Sequence, residues 1–60
     1  MSNLSRVMYK KRITQTELAK RLNISQPAVN KQVRKGITRT TTALNYAKAL
    51  DMDPRTLLEI

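Results

Sequence analysis

Two stretches of helical periodicity stand only three residues apart near the middle of the chain, and this spacing restricts the fold more than any other feature. The first opens on Thr14-Gln15-Thr16-Glu17, which fits a capping box. The Thr14 hydroxyl is placed to accept from the Glu17 N–H, and the Glu17 carboxylate to reach back. Leu18, Ala19 and Leu22 then share one stripe about 100° wide, with Lys20 and Arg21 pointing away. Asn23 stops the helix, because it tolerates the left-handed conformation that a tight turn needs. The second stretch begins after Ser25, a good N-cap, and carries Pro27 in its first turn, where a missing N–H does no harm. It runs to about Lys35, and Gly36 ends it. Val29 and Val33 mark its inner face, while Pro27, Asn30, Lys31 and Arg34 lie opposite, with Gln26 at the edge. A small residue is needed where the second helix crosses the first, and Ala19 supplies it. Leu18, Leu22, Ile24 and Val29 form the small core expected to hold the crossing.

The flanks read as further short helices. Leu4, Val7, Met8 and Lys11 fall on one stripe of a helix over residues 3–12. Ser2 or Asn3 caps it, and Lys10, Lys11 and Arg12 suit its negative end. Residues 36–40 read as a loop. Thr40-Thr41-Thr42 resists helix through β-branching, yet any of the three can cap one. A fourth helix is therefore expected over residues 42–50, with Ala43, Leu44, Ala47 and Leu50 inward. Asp53-Pro54 pairs an N-cap with proline at the first helical position, the start of a short fifth helix. Its Leu57, Leu58 and Ile60 are expected to fold back on the core. No window alternates apolar and polar residues long enough to make a strand. The expected fold class is all-α, a compact five-helix domain over residues 1–60.

Sixty residues allow one domain, which buries only about 60% of its unfolded surface and is marginal without help. There is no Cys and no His. Disulfide frameworks, zinc fingers, Cys or His nucleophiles and histidine acid–base chemistry are thereby excluded. The absence of cysteine also fits a reducing compartment, so the expected location is the cytoplasm. No apolar run is long enough to span a membrane or to serve as a signal peptide. Hydrophobic content of 40% suffices for a core and argues against a disordered basic tail. The net charge of +8 is unevenly spread. Residues 1–48 carry eleven Lys and Arg against one acid, Glu17, whereas residues 49–60 carry Arg55 against Asp51, Asp53 and Glu59. A basic body with an acidic end favours a polyanionic partner on one side.

Residues Gln15 to Arg34, QTELAKRLNISQPAVNKQVR, have the spacing of a DNA-binding helix-turn-helix, placed at about residues 15–35. The segment resembles the Cro and repressor proteins of lambdoid phages. Gln26-Pro27-Ala28-Val29-Asn30-Lys31 is similar to the recognition helix of phage lambda Cro, with Pro27 replacing a Ser and Gly36 also matching. Leu44 to Leu58, LNYAKALDMDPRTLL, instead looks like the last two helices of the all-helical members. The resemblance implies an all-helical repressor-like domain, a duplex DNA partner and no cofactor or metal. Two positions depart from the family pattern. Gln32 stands at the rim of the inner face where many members have a bulky apolar residue, and Val33 is the candidate to pack in its place. Pro27 lacks a hydroxyl and is left with its ring for a thymine methyl or the backbone.

The candidate base-reading residues are Gln26, Pro27, Asn30 and Lys31. An amide such as Gln26 or Asn30 can bond adenine N6 and N7, and Lys31 can bond guanine O6 and N7. First-turn residues of a recognition helix reach base edges, which favours Gln26 most. The candidate phosphate contacts are Gln15 and Thr16, at the start of a helix, and Arg34, Lys35, Arg39 and Thr40, around the loop where this family touches the sugar–phosphate strand. Tyr9 and Tyr46 are the only aromatics, too few for a single-strand binder with stacking platforms. The reading is a sequence-specific duplex DNA-binding regulator, a Cro-like repressor without catalytic activity or small-molecule substrate. It is expected to act on a near-palindromic operator as a weak homodimer or one formed on DNA. An antitoxin-type regulator and a membrane-active basic helical protein are the alternatives. The capped, interrupted apolar stripes disfavour the membrane reading.

Overall fold

The computed structural model describes residues 2–59. Four α-helices follow in order, α1 (Asn3–Lys11), α2 (Gln15–Leu22), α3 (Gln26–Lys35) and α4 (Thr40–Leu50), before a single 3-10 turn, Pro54–Thr56. No named strand occurs among the described residues; one isolated parallel bridge joins Ile37 and Leu58. The expected fifth helix is only that 3-10 turn. Asp53 caps it by accepting from the Arg55 N–H at 2.9 Å, and its bonds close over three residues, as Leu57 N–H to the Pro54 carbonyl at 3.0 Å. The Arg55 guanidinium and N–H together hold the Asp53 carboxyl below the usual carboxylate range.

Three of the α-helices end in the same way. Arg12, Asn23 and Asp51 adopt left-handed conformations at φ 57°, 57° and 55°. In each case the next residue's N–H returns to a carbonyl five residues back: Ile13 to Met8, Ile24 to Ala19 and Met52 to Ala47, all at 3.0 Å. This closure satisfies carbonyls that the helix leaves open. It also ends α1 at Lys11, one residue before the expected Arg12.

The starts of the helices divide into bonded and open caps. Ser2 accepts from the Ser5 N–H and Thr14 from the Glu17 N–H, both at 3.1 Å. Only half of the expected capping box forms, because the Glu17 carboxylate meets Arg21 at 3.4 Å instead of returning to Thr14. Ser25 occupies the N-cap position of α3 without a side-chain cap bond. None of the three threonines caps α4: Arg39 takes the N-cap position, also without a side-chain bond, and Thr40–Thr42 make the first turn. The helix thus begins two residues earlier than expected. β-Branching costs only tenths of a kcal/mol per residue, and tertiary burial of α4 outweighs it.

α3 packs on α2 and α1, and α4 packs on α2 and the 3-10 turn. Leu4, Val7, Met8, Leu18, Ala19, Val29, Ile37, Ala43, Tyr46, Ala47, Leu50 and Leu57 make the buried core. Leu22, Val33 and Leu58 pack against it partly buried, and two expected core residues are exposed. Leu44 is 43% exposed while Tyr46 is 5% exposed, so the inner stripe of α4 is Ala43, Tyr46, Ala47 and Leu50. These follow the i, i+3, i+4, i+7 rule, from which Leu44 is rotated by about 100°. Ile24 is 41% exposed and lines an open groove between α2 and α4 with Arg21, Leu22, Tyr46 and Ala49. The Arg21 guanidinium crosses between the same helices to the Ala49 carbonyl at 3.2 Å.

The end of the described chain is tied to two distant elements. The Glu59 N–H donates to the Ile37 carbonyl at 2.7 Å, and the Glu59 carboxylate accepts from the Asn3 N–H at 2.5 Å. Asn3 Nδ2 donates to the Leu58 carbonyl at 2.9 Å. Leu57 is fully buried and Leu58 half-buried, as expected, and Ile60 lies outside the described residues.

Val33 packs against the core, and Gln32 beside it is half-buried with no side-chain hydrogen bond among those formed. Replacing its amide with apolar surface at this rim should help folding. Gln32→Leu is expected to stabilise the protein by up to about 1 kcal/mol, from roughly 40 Å² of added apolar burial. Urea denaturation measures it, and a neutral or destabilising outcome would mean that Val33 already fills the site.

Candidate nucleic-acid interface

The turn at Asn23 brings the first turn of α2 against the first turn of α3. Gln15 opens α2 and Gln26 opens α3. Gln26 Nε2 donates to Gln15 Oε1, and Gln15 Nε2 donates to Asn30 Oδ1 at 3.4 Å. Buried Leu18, Ala19 and Val29 lie beneath this contact and hold the two helices in register. Three of the ten candidate residues are thus joined in one chain of amides.

Pro27, Asn30, Lys31, Arg34 and Lys35 line a shallow open groove along the outer face of α3. The ion pairs among the described residues are Arg21–Glu17 and Arg55–Asp53, so Lys31, Arg34, Lys35 and Arg39 have no acidic partner there. A face with cations and no carboxylate attracts a polyanion and leaves every charged head available to it. Thr16 is exposed in the first turn of α2. Arg39 and Thr40 are exposed at the start of α4, so Thr40 belongs to the helix and not to the expected loop. No hydrogen bond joins Thr16, Arg39 or Thr40 to the outer face of α3 among the described residues. Helix N-termini carry unpaired N–H groups suited to phosphate, and both α2 and α4 offer them.

The sequence reading assigned Gln15 to phosphate alone. In the structure its oxygen and one N–H serve Gln26 and Asn30, which leaves one N–H and one oxygen lone pair for other uses. Two glutamines at the first positions of helices joined by a tight turn were the available signal.

Among the described residues no three His, Cys, Asp or Glu gather to hold a metal, and no helix is long and apolar enough to cross a membrane. A family model, the Cro/C1-type HTH DNA-binding domain, matches residues 3–60. The chain belongs to that family. No curated protein and no solved structure matches it. As a Cro/C1-type domain it is a DNA-binding helix-turn-helix protein of the transcription-regulator kind, whose partner is duplex DNA. α2 and α3, joined by the turn at Asn23, have the arrangement of the two helices of a helix-turn-helix.

Proposed function

We propose that this Cro/C1-type protein is a Cro-like repressor that occupies operator half-sites through the major groove and excludes polymerase. Residues 1–60 act as one unit, in the cytoplasm of a bacterial host, by binding alone and without catalysis or a cofactor. The observation that carries the reading is the amide chain of Gln15, Gln26 and Asn30 set beside an acid-free cationic face. Gln26, Pro27, Asn30 and Lys31 meet base edges, while Thr16, the remaining Gln15 N–H, Arg34, Lys35, Arg39 and Thr40 meet phosphates. One helix-turn-helix covers a half-site, so two copies sit on a near-palindrome. Leu44, turned out of the core on α4, offers apolar surface to the second copy but too little for a tight dimer in solution.

Selection of bound sites from random duplex DNA, followed by two substitutions, tests the reading. Gln26 is a neutral amide and cannot release counterions, so its value lies in directed bonds to a base. Gln26→Ala should cost about 1–3 kcal/mol on the selected operator and relax one base pair, leaving the salt dependence unchanged. Arg39→Ala should weaken all sequences alike and lower the salt slope by about one. Equal loss by Gln26→Ala on operator and random DNA would show that α3 is not the reading helix.

A further inference from the structure

We infer that Glu59 is a positioning residue for DNA binding, a role that rests on the DNA-binding reading above. It ties the loop between α3 and α4 to the start of α1, and so sets the spacing of the cations on either side of that loop. The loop spans residues 36–39, between Lys35 at the end of α3 and Thr40 at the start of α4. Its Gly36 and Ile37 are buried, whereas Arg34, Lys35, Thr38, Arg39 and Thr40 around them are exposed. The cover comes from the segment after the 3-10 turn. Ile37 pairs with Leu58 in the parallel bridge, and the Glu59 N–H donates to the Ile37 carbonyl at 2.7 Å. The Glu59 side chain lies over Gly36, so close that a Cβ there would stand 2.9 Å from its Cγ. Its carboxylate then accepts from the Asn3 N–H at 2.5 Å, and Asn3 Nδ2 donates to the Leu58 carbonyl at 2.9 Å.

One acidic side chain thus joins two elements that are remote from it in sequence. Its carboxylate sits at the first residue of α1, where unpaired N–H groups and the helix dipole favour a negative charge. Glu59 makes no ion pair among the described residues, so its charge serves the helix end. An extended segment with few hydrogen bonds opens at low free energy, and it holds a neighbour only as firmly as it is itself anchored. Without the tie to Asn3, residues 57–59 lose the anchor that keeps them on Gly36 and Ile37. Lys35 and Arg39 are then no longer fixed relative to each other. Phosphates repeat at a set interval along a strand, so two cations that meet the same strand need a set separation.

Removing an acid from a cationic protein ordinarily strengthens its binding to DNA, so the sign of the effect separates positioning from charge. The test measures binding to the selected operator and to random duplex across a range of salt. It compares Glu59→Ala, Glu59→Gln, Arg39→Ala and the combination of Glu59→Ala with Arg39→Ala, each checked for folding by circular dichroism. Glu59→Ala should weaken both DNAs by about three- to tenfold and lower the salt slope by about one, the size of one lost phosphate contact, although the net charge rises. Glu59→Gln keeps an oxygen for the Asn3 N–H, and should bind at least as tightly as the unaltered protein with the slope intact. In the Arg39→Ala background, Glu59→Ala should change affinity by less than about twofold, because the contact it positions is already gone. If Glu59→Ala does not fold, Asn3→Pro takes its place. Asn3 is the first residue of α1 and Ser2 before it is extended at ψ 161°, so proline suits the position and removes the N–H and the side-chain amide. Asn3→Pro should give the same loss of affinity and slope. Unchanged or tighter binding by the folded variant, an equal loss in Glu59→Gln, or a full further loss on top of Arg39→Ala would overturn the inference. An unaltered protein that binds no duplex would bring down the DNA-binding reading as well, whereas a salt-dependent operator complex that Glu59→Ala and Asn3→Pro leave unchanged removes only the role of Glu59.

Discussion

Tyr46→Ala should destabilise the protein by about 3–5 kcal/mol, the cost of deleting a buried aromatic ring and leaving a cavity. Leu44→Ala, two residues away, should change stability by no more than about 0.5 kcal/mol. Tyr46 is 5% exposed in the core beside Ala43, Ala47 and Leu50, and Leu44 is 43% exposed. The small residues on either side of the ring leave little else to fill its space. A domain of this size has few kcal/mol to lose, so Tyr46→Ala should be largely unfolded at room temperature. Thermal unfolding followed by circular dichroism separates the pair. Equal effects of the two substitutions would mean that α4 is rotated about its axis relative to this description.

The Tyr46 phenol also gives the fold an alkaline limit. Burial raises its pKa above the ordinary value of 10.0. The folded state then holds the proton more tightly than the unfolded state. Its contribution is complete below the unfolded pKa and is lost as pH rises through the folded one. In a Tyr9→Phe background, phenolate absorbance should appear later than in the unfolded chain. Coincident titration with the denatured protein would contradict burial of the ring.

Gly36→Ala should cost about 2–4 kcal/mol, combining a strained backbone with an overpacked contact. Gly36 lies at φ 87° and ψ 156°, a region essentially confined to glycine. A Cβ there would also stand 2.9 Å from Glu59 Cγ and 3.2 Å from Glu59 Cδ. The Glu59 side chain is not free to swing aside, because its carboxylate holds the Asn3 N–H and its own N–H holds the Ile37 carbonyl. The damage therefore spreads from the end of α3 to the start of α1. Gly36→Ala combined with Glu59→Ala should cost less than the two separate costs together, because the second change removes the clash. Strict additivity in urea denaturation would place the whole cost in the backbone. A cost below about 0.5 kcal/mol would mean the backbone at Gly36 is not in this region.

Much of the local architecture was legible in order of residues alone. Thr14 before Glu17, Asn23 after Leu22 and Gly36 after Lys35 are short-range signals, and each acts through backbone groups within one turn. The stripes of α1 and α2 were equally plain, because their apolar residues face one way and their charges the other. The three-residue turn between α2 and α3 followed, and with it the placing of Gln15, Gln26 and Asn30 on a common motif. What periodicity left open was any choice between two nearly equal faces. Leu44 and Tyr46 both flank the line through Ala43, Ala47 and Leu50, and only the position of α2 and the 3-10 turn decided which was covered. Ile24 is apolar and next to the motif core, yet the closure of α2 carries it to the rim of the groove. The start of α4 at Thr40 was decided by burial over propensity. The last turn stayed a single 3-10 turn because Leu57 and Leu58 are drawn to the core and to Ile37 before a helix can propagate. The amide contacts from Gln26 through Gln15 to Asn30 belong to the same class. Amide identity is written in the sequence, but which atom of Gln15 faces which neighbour exists only once two helices are packed. The sequence by itself determined the four helical segments, the turn between the motif helices and the charge of the face. The tertiary structure alone decided which residues are covered and which hydrogen-bonding edge each amide shows, because both depend on contacts between segments distant in the chain.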